Sequence, residues 1–222
     1  MADDLRSSRK ARRREQVREE ILEAAGEVVL AKGLNGLTLA AVARELGLTK
    51  PALYHYFASK EALVFELVFS SIESHAEFVA AALAESEDAA DALERLIRST
   101  AEYYADNLDD LRLSYLVPQV GLASAMQFTD EMLARIRPFN DMVYGPVAEH
   151  IRFEQHAGAV AKSLDGRRLA FLAHTAVLGV LTVEGLVDVA DDAPLVHAHE
   201  AMIDELVATF RARLEVAGRR RR

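Results

Sequence analysis

The fold is decided by Thr38-Leu-Ala-Ala-Val-Ala-Arg-Glu-Leu-Gly-Leu-Thr-Lys-Pro-Ala-Leu-Tyr-His-Tyr-Phe-Ala-Ser-Lys60. It reads as two short helices around a tight turn. Thr38 has the chemistry of an N-cap, and Leu39, Val42, Ala43 and Leu46 recur on one helical face. Gly47 follows at once and supplies the positive φ that ends a helix. Leu48 fills the corner. Thr49 caps a second helix, with Pro51 in the first turn, where a missing N–H costs little. Leu53 and Tyr56 then point back at Val42 and Leu46, and the small Ala43 permits a close crossing. Such a pair is a helix-turn-helix, whose second helix enters the DNA major groove.

The outward side of that second helix carries Thr49, Lys50, Ala52, Tyr54 and His55. Hydroxyls, a cation, an imidazole and a methyl can meet phosphates or base edges. Thr38 at the start of the motif belongs to the expected DNA-binding set as well. A helical hairpin buried in a core would not expose Lys50, Tyr54 and His55 together.

From about Arg14 to Leu67 the chain resembles the DNA-binding domain of the tetracycline-repressor (TetR) family. The specific part is Leu53-Tyr-His-Tyr-Phe-Ala-Ser-Lys-Glu-Ala-Leu63, close to the family's Leu-Tyr-x-Tyr-Phe-x-x-Lys-x-x-Leu. The resemblance implies that Lys60 and the two tyrosines hold DNA phosphates. It also implies a homodimer built by pairing the last two long helices into a four-helix bundle. Beyond Leu67 the likeness is one of length and helical layout only.

The charge is divided in the same sense. Residues 1–60 hold 11 Lys/Arg against 8 Asp/Glu, while the remainder holds 15 against 27, so a chain of net charge −9 is basic only at its DNA-binding end. The acidic remainder would repel DNA and orient its approach. Residues 1–13 are expected to be a disordered arm, and the run Arg9-Lys-Ala-Arg-Arg-Arg14 at its end is a solubilising tail or a contact to phosphates or a minor groove. Residues 218–222 are expected to be a frayed basic tail.

The rest reads as helix throughout. The fold expected is all-α, about nine helices. A helix-turn-helix domain over residues 14–62 is joined by a long helix to a ligand-binding and dimerisation domain over 63–217. A first helix spans about Arg14 to Lys32, with Val17, Ile21, Ala25 and Val28 inward and Gly33 as its stop. Ser59 caps a fourth helix, about Lys60 to Ala84, that crosses into the second domain without a Pro/Gly/Ser linker. Ser86 is expected to cap a fifth, about Glu87 to Asn107, and a sixth follows from Asp109 to Gln119. A seventh, about Thr129 to His156, contains Pro138 and Gly145-Pro146 and should kink or divide, either as two successive helices or as a broken helix that leaves a cavity. Asp165 caps the eighth, about Gly166 to Val189, and the ninth runs from about Leu195 to Ala217. The eighth is apolar on several sides, so a second subunit is needed to cover it. Leu181, Met202, Leu206 and Phe210 are the expected dimer contacts.

Enzyme chemistry finds no constellation. There is no phosphate-binding glycine loop, no His-Glu-x-x-His and no nucleophile elbow. The seven histidines are scattered, and His197 and His199 point to different faces of one helix. With no cysteine, thiolate catalysis, disulfides and Cys-ligated zinc are excluded. No metal or cofactor is expected. No apolar run reaches the ~20 residues of a membrane span, and the charged N-terminus is unlike a signal peptide, so a cytoplasmic, nucleoid-associated protein is expected. A small-molecule pocket should lie in the second domain, with Tyr103, Tyr104, Tyr115, Phe139, Met142, Val143, Phe171, His174 and Leu178 as candidate lining.

The expected function is a homodimeric DNA-binding regulator, a repressor of a palindromic operator released by a small, largely apolar ligand. Its rivals are an effector-free or activating DNA binder of the same fold, and a helical enzyme or lipid carrier.

Overall fold

In the computed structural model the described residues are 2–113, 130–186 and 198–219, with side chains described for 8–113, 130–183 and 198–215. They form helices α1 (Ala2–Gly36), α2 (Leu39–Glu45), α3 (Lys50–Tyr54), α4 (Lys60–Leu83), α5 (Ala89–Asp106), α6 (Leu108–Leu111), α7 (Asp130–Ala157), α8 (Gly166–Leu186) and α9 (His199–Arg219). No strand occurs among the described residues. The chain divides into two compact units, Met1–Ser71 with Asp109–Phe128, and Ile72–Leu108 with Thr129–Arg222. The division falls within α4, nine residues beyond the expected boundary at residue 62.

In the first unit α2 packs on α1 and α3. Its core is Ile21, Ala25, Val28, Leu37, Val42, Leu53, Phe57 and Leu63, all buried. Gly33, where the sequence places the helix stop, interrupts α1 at φ 67°, a backbone conformation that favours glycine. Residues 2–13 depart from expectation: they continue α1 as helix instead of forming a disordered arm. Their Arg, Lys, Ala and Leu residues are good helix formers that propagate a helix already nucleated by the packed turns that follow. Arg18 pairs with Glu66 of α4 and lies 5.6 Å from the Phe57 ring, bracing the motif from behind.

In the second unit α5 packs against α7, α8 and α9, and α8 also packs against α7 and α9. Ala89, Leu93, Leu96, Ile97, Tyr104, Val147, Ile151, Ala170 and Val177 form its centre. α5 is capped by Asp88, not Ser86: the Asp88 carboxylate accepts from Asp91 N at 2.8 Å, and Glu154 of α7 accepts from Ala89 N at 2.9 Å. A residue 65 positions away in sequence thus shares the cap. α8 is capped as expected, Asp165 accepting from Arg168 N at 3.0 Å.

α7 runs unbroken through Pro138 and Pro146, contrary to the expected division. A helical proline forfeits one backbone hydrogen bond, and the packing of Val143, Tyr144, Val147 and Ile151 on the other helices offsets that loss. α9 starts at His199, with Ala198 non-helical before it; the expected start at Leu195 lies outside the described residues. On the α5–α9 seam Glu94 accepts from Arg98 at 2.8 Å and Arg211 at 2.6 Å, and Arg98 reaches Asp204 at 2.8 Å. Gly166–Val183 is long and apolar enough by composition to cross a membrane, but its buried face is a core face of this unit.

Candidate nucleic-acid interface and effector site

Local chemistry builds the motif. Thr38 is extended at φ −138°, ψ 149°, and its hydroxyl accepts from Ala41 N at 3.0 Å, fixing the start of α2. Gly47 has φ 63°, and behind it Leu48 N donates to Ala43 O at 2.8 Å, closing the turn. Thr49 Oγ1 accepts from Ala52 N at 3.4 Å and starts α3, with Pro51 in its first turn. Leu53 is fully buried and holds α3 down, so the opposite side must face outward. Thr38, Thr49, Lys50, Tyr54 and His55 are exposed, while Ala52 and Tyr56 are half-buried. The Lys50 ammonium lies 5.8 Å over the Tyr54 ring, which steers both outward side chains together.

Lys60 differs from a free phosphate ligand. It is half-buried and its Nζ donates to the carbonyl of Leu34 at 2.5 Å, tying the first turn of α4 to the end of α1. An ammonium has three N–H donors, so this bond leaves capacity for a phosphate while fixing where the group sits. Beside α3, a cleft of about 640 Å³ is lined by Lys10, Arg13, Arg14, Val17, Ala52, His55 and Tyr56.

The second unit holds a buried aromatic cluster. His75 of α4 stacks on Tyr104 with centroids 4.8 Å apart and on His174 at 5.2 Å, with Tyr103 edge-on at 5.3 Å. Tyr144 Oη and His174 Nδ1 share a hydrogen bond of 2.8 Å. His75 and His174 are each 4% exposed. Burial lowers the His75 pKa to about 4; burial first, then the neighbouring His75, lowers His174 to about 3. Both rings are neutral near pH 7. Burial raises Tyr144 to about 12, so it keeps its proton. His75 Nε2 has no hydrogen-bond partner although it is buried.

Of the expected lining residues, Tyr103, Tyr104, Val143, His174 and Leu178 are buried, and Phe139 and Met142 are half-buried. Tyr103, Tyr104 and His174 meet in the cluster. Phe171 does not line an interior: it is 52% exposed and touches Tyr144 only edge-on, at 5.8 Å. Tyr115 lies outside the described residues. Sequence reasoning missed His75 and Tyr144. The signal was present: His75 falls on the α4 stripe Val68, His75, Val79, Leu83, where a polar residue at an inward position needs a partner.

On the expected dimer face, Met202, Leu206 and Phe210 of α9 are half-buried. Leu181 is only 3% exposed, because it faces the core of its own unit, and so is not available to a second copy. Among its described residues, the exposed large apolar groups of α8 are Phe171, Leu172 and Val183. Among the described residues no group of three or more His, Cys, Asp or Glu could hold a metal ion.

Residues 21–67 match the family model of the bacterial regulatory proteins, tetR family. No curated protein matches the chain in sequence. Solved structures do match over most of its length. The transcriptional regulator FadR from Bacillus subtilis, in complex with stearoyl-CoA, is 16% identical with a TM-score of 0.67, covering 88% of this chain and 98% of its own. A bacterial regulatory protein in the tetR family from Rhodococcus RHA1 is 18% identical at 0.66, covering 89% and 96%. The TetR family regulator PfmR from Thermus thermophilus is 22% identical at 0.59, covering 87% and 96%.

Proposed function

The chain belongs to the tetR family of bacterial regulatory proteins by its residues 21–67 and has the fold of TetR-family regulators, and from that premise we propose that it is a DNA-binding transcriptional repressor. It binds a palindromic operator as a homodimer and is released by a small, largely apolar ligand; it is not an enzyme, and it works in the cytoplasm at the nucleoid. The observation that carries this reading is the outward face of α3, where Thr49, Lys50, Tyr54 and His55 stand exposed above a buried Leu53. Among the described residues those side chains lie open, as a recognition surface requires.

The effector reading is supported by the buried cluster around His75. A buried ring nitrogen without a partner costs free energy that a ligand oxygen or a water would recover. The surrounding Tyr103, Tyr104 and Tyr144 give apolar faces with a few polar anchors. The FadR neighbour's complex with stearoyl-CoA supports a largely apolar class of effector. Such a ligand acts only through unequal affinity for two conformations. α4 is one continuous helix from the motif to His75, so it offers a route by which a change at the cluster would reach α3.

Selection from random duplexes tests the DNA reading. It should recover a palindrome whose half-site centres lie ~34–36 Å apart or a multiple of that. Recovery of no duplex at low salt overturns it. The effector-free reading has one observation in its favour, the mutual packing of the aromatic rings. A screen of acyl and aromatic compounds decides: binders raise the melting temperature by linkage, and no shift from any compound favours the effector-free protein.

A further inference from the structure

The basic N-terminal turns of α1 have a fixed orientation beside α3, and this sorts their cations. At about 100° per residue, Lys10, Arg13, Arg14 and Val17 share one stripe of α1, at i, i+3, i+4 and i+7. That stripe forms one wall of the cleft whose other wall is Ala52, His55 and Tyr56 of the recognition helix and its end. Arg9 and Arg12 lie on another side of α1, where with Ser8, Arg13 and Gln16 they line a separate surface depression. The run Arg9 to Arg14 therefore splits into cations that face the recognition helix and cations that do not.

Lys10, Arg13 and Arg14 are exposed and have no ion-pair partner among the described residues, unlike Arg18 one turn further on, which is held by Glu15 and Glu66. A cleft walled by these cations, an imidazole and a phenol, opening beside α3, has the charge and donors to take an anion chain. We propose that this cleft grips backbone phosphates of the operator duplex next to the segment read by α3, and that Lys10 and Arg14 are its phosphate ligands while Arg9 and Arg12 are not. The inference rests on the DNA-binding reading above. It replaces a mobile arm, in which every cation is equivalent, with a helical clamp in which position decides.

The test compares two double variants of the full-length protein that remove the same charge, Lys10→Ala with Arg14→Ala and Arg9→Ala with Arg12→Ala. Alanine at exposed helical positions keeps the helix, and circular dichroism checks that both fold. Binding is titrated against salt on the selected operator and on a random duplex. Removing one phosphate ligand lowers the slope of log K against log salt by about 0.9. The Lys10/Arg14 variant should have a slope shallower by about 2 per protomer, to the same extent on both duplexes. The Arg9/Arg12 variant should change by less than half of that. Equal changes in the two variants, a larger change from Arg9/Arg12, or none from Lys10/Arg14 overturns the clamp while leaving DNA binding intact. A wild-type protein that binds neither duplex overturns both readings.

Discussion

His75 and His174, which lie on different helices, stack at 5.2 Å inside the second unit, both neutral and both almost fully buried. Their burial makes the fold sensitive to acid. Each has a folded pKa below the ordinary value of 6.5, about 4 for His75 and about 3 for His174. The unfolded chain therefore binds protons first as pH falls. Stability is fully present above pH 6.5 and is lost between there and about pH 4 for His75, continuing to about pH 3 for His174. The slope is about 1.4 kcal/mol per pH unit for each histidine. Denaturant midpoints measured from about pH 7.5 down to about pH 4 should show this decline, and His75→Phe should remove about half of it. An unchanged slope in His75→Phe would show that the ring is not held neutral.

Gly166 lies at a close approach of α8 to α7. A Cβ there would lie 3.1 Å from Ile151 Cβ and 3.2 Å from Ala148 Cα. Neither neighbour is the flexible end of a side chain, so relief needs a backbone shift. Overpacking of this kind costs about 1–3 kcal/mol, against a helix-propensity gain of up to about 1 kcal/mol. Gly166→Ala should lower stability by roughly 1 kcal/mol. A melting temperature at or above wild type would mean that the two helices separate freely at this crossing.

The dimer should form through the outward side of α9, where Met202, Leu206 and Phe210 share one stripe, and through Leu172 and Val183 of α8. Leu206→Glu with Phe210→Glu would bury two charges against a second copy and should yield monomer or aggregate. Phe153, 76% exposed on α7, serves as the control. Phe153→Glu should leave a native dimer. Sedimentation of the two variants decides; a native dimer from the α9 variant, or dissociation by Phe153→Glu alone, moves the interface elsewhere.

What the sequence made legible was local. Thr38, Gly47, Thr49 and Asp165 could be read because caps and tight turns depend on a few adjacent atoms, and all four hold the roles expected of them. Ser86 misled because Asp88, two residues on, is an equally good cap and Glu154 of α7 adds a second acceptor there. Pro138 and Pro146 misled because packing on other helices outweighs two missing hydrogen bonds. α8 is apolar on several sides, and nothing in its own residues says which side its own unit covers. Packing on α5, α7 and α9 is what puts Leu181 inside and leaves Phe171 outside. His75 required knowing that α5 and α8 bring Tyr104 and His174 to it.

Lys50 and Lys60 differ in what holds them, and their variants should differ in kind. Lys50 is exposed, with its ammonium 5.8 Å over the Tyr54 ring, so it has room to reach a base edge. Removing a base-reading side chain costs roughly 1–3 kcal/mol and relaxes preference at one position in each half-site. Stability should hardly change, since an exposed lysine near an aromatic face is worth at most about 1 kcal/mol. Lys60 is bound to Leu34 O and joins α4 to α1, so Lys60→Ala should act twice. It should weaken binding to all duplexes alike, with a salt slope shallower by about 0.9 per protomer, and it should also lower the stability of the motif by about 1 kcal/mol. Selection profiles, salt titrations and melting curves of the two variants separate these effects. A Lys50→Ala profile identical to wild type assigns base reading to His55 or Thr49 instead. A Lys60→Ala protein as stable as wild type would show that the bond to Leu34 contributes nothing and that Lys60 serves the phosphate alone.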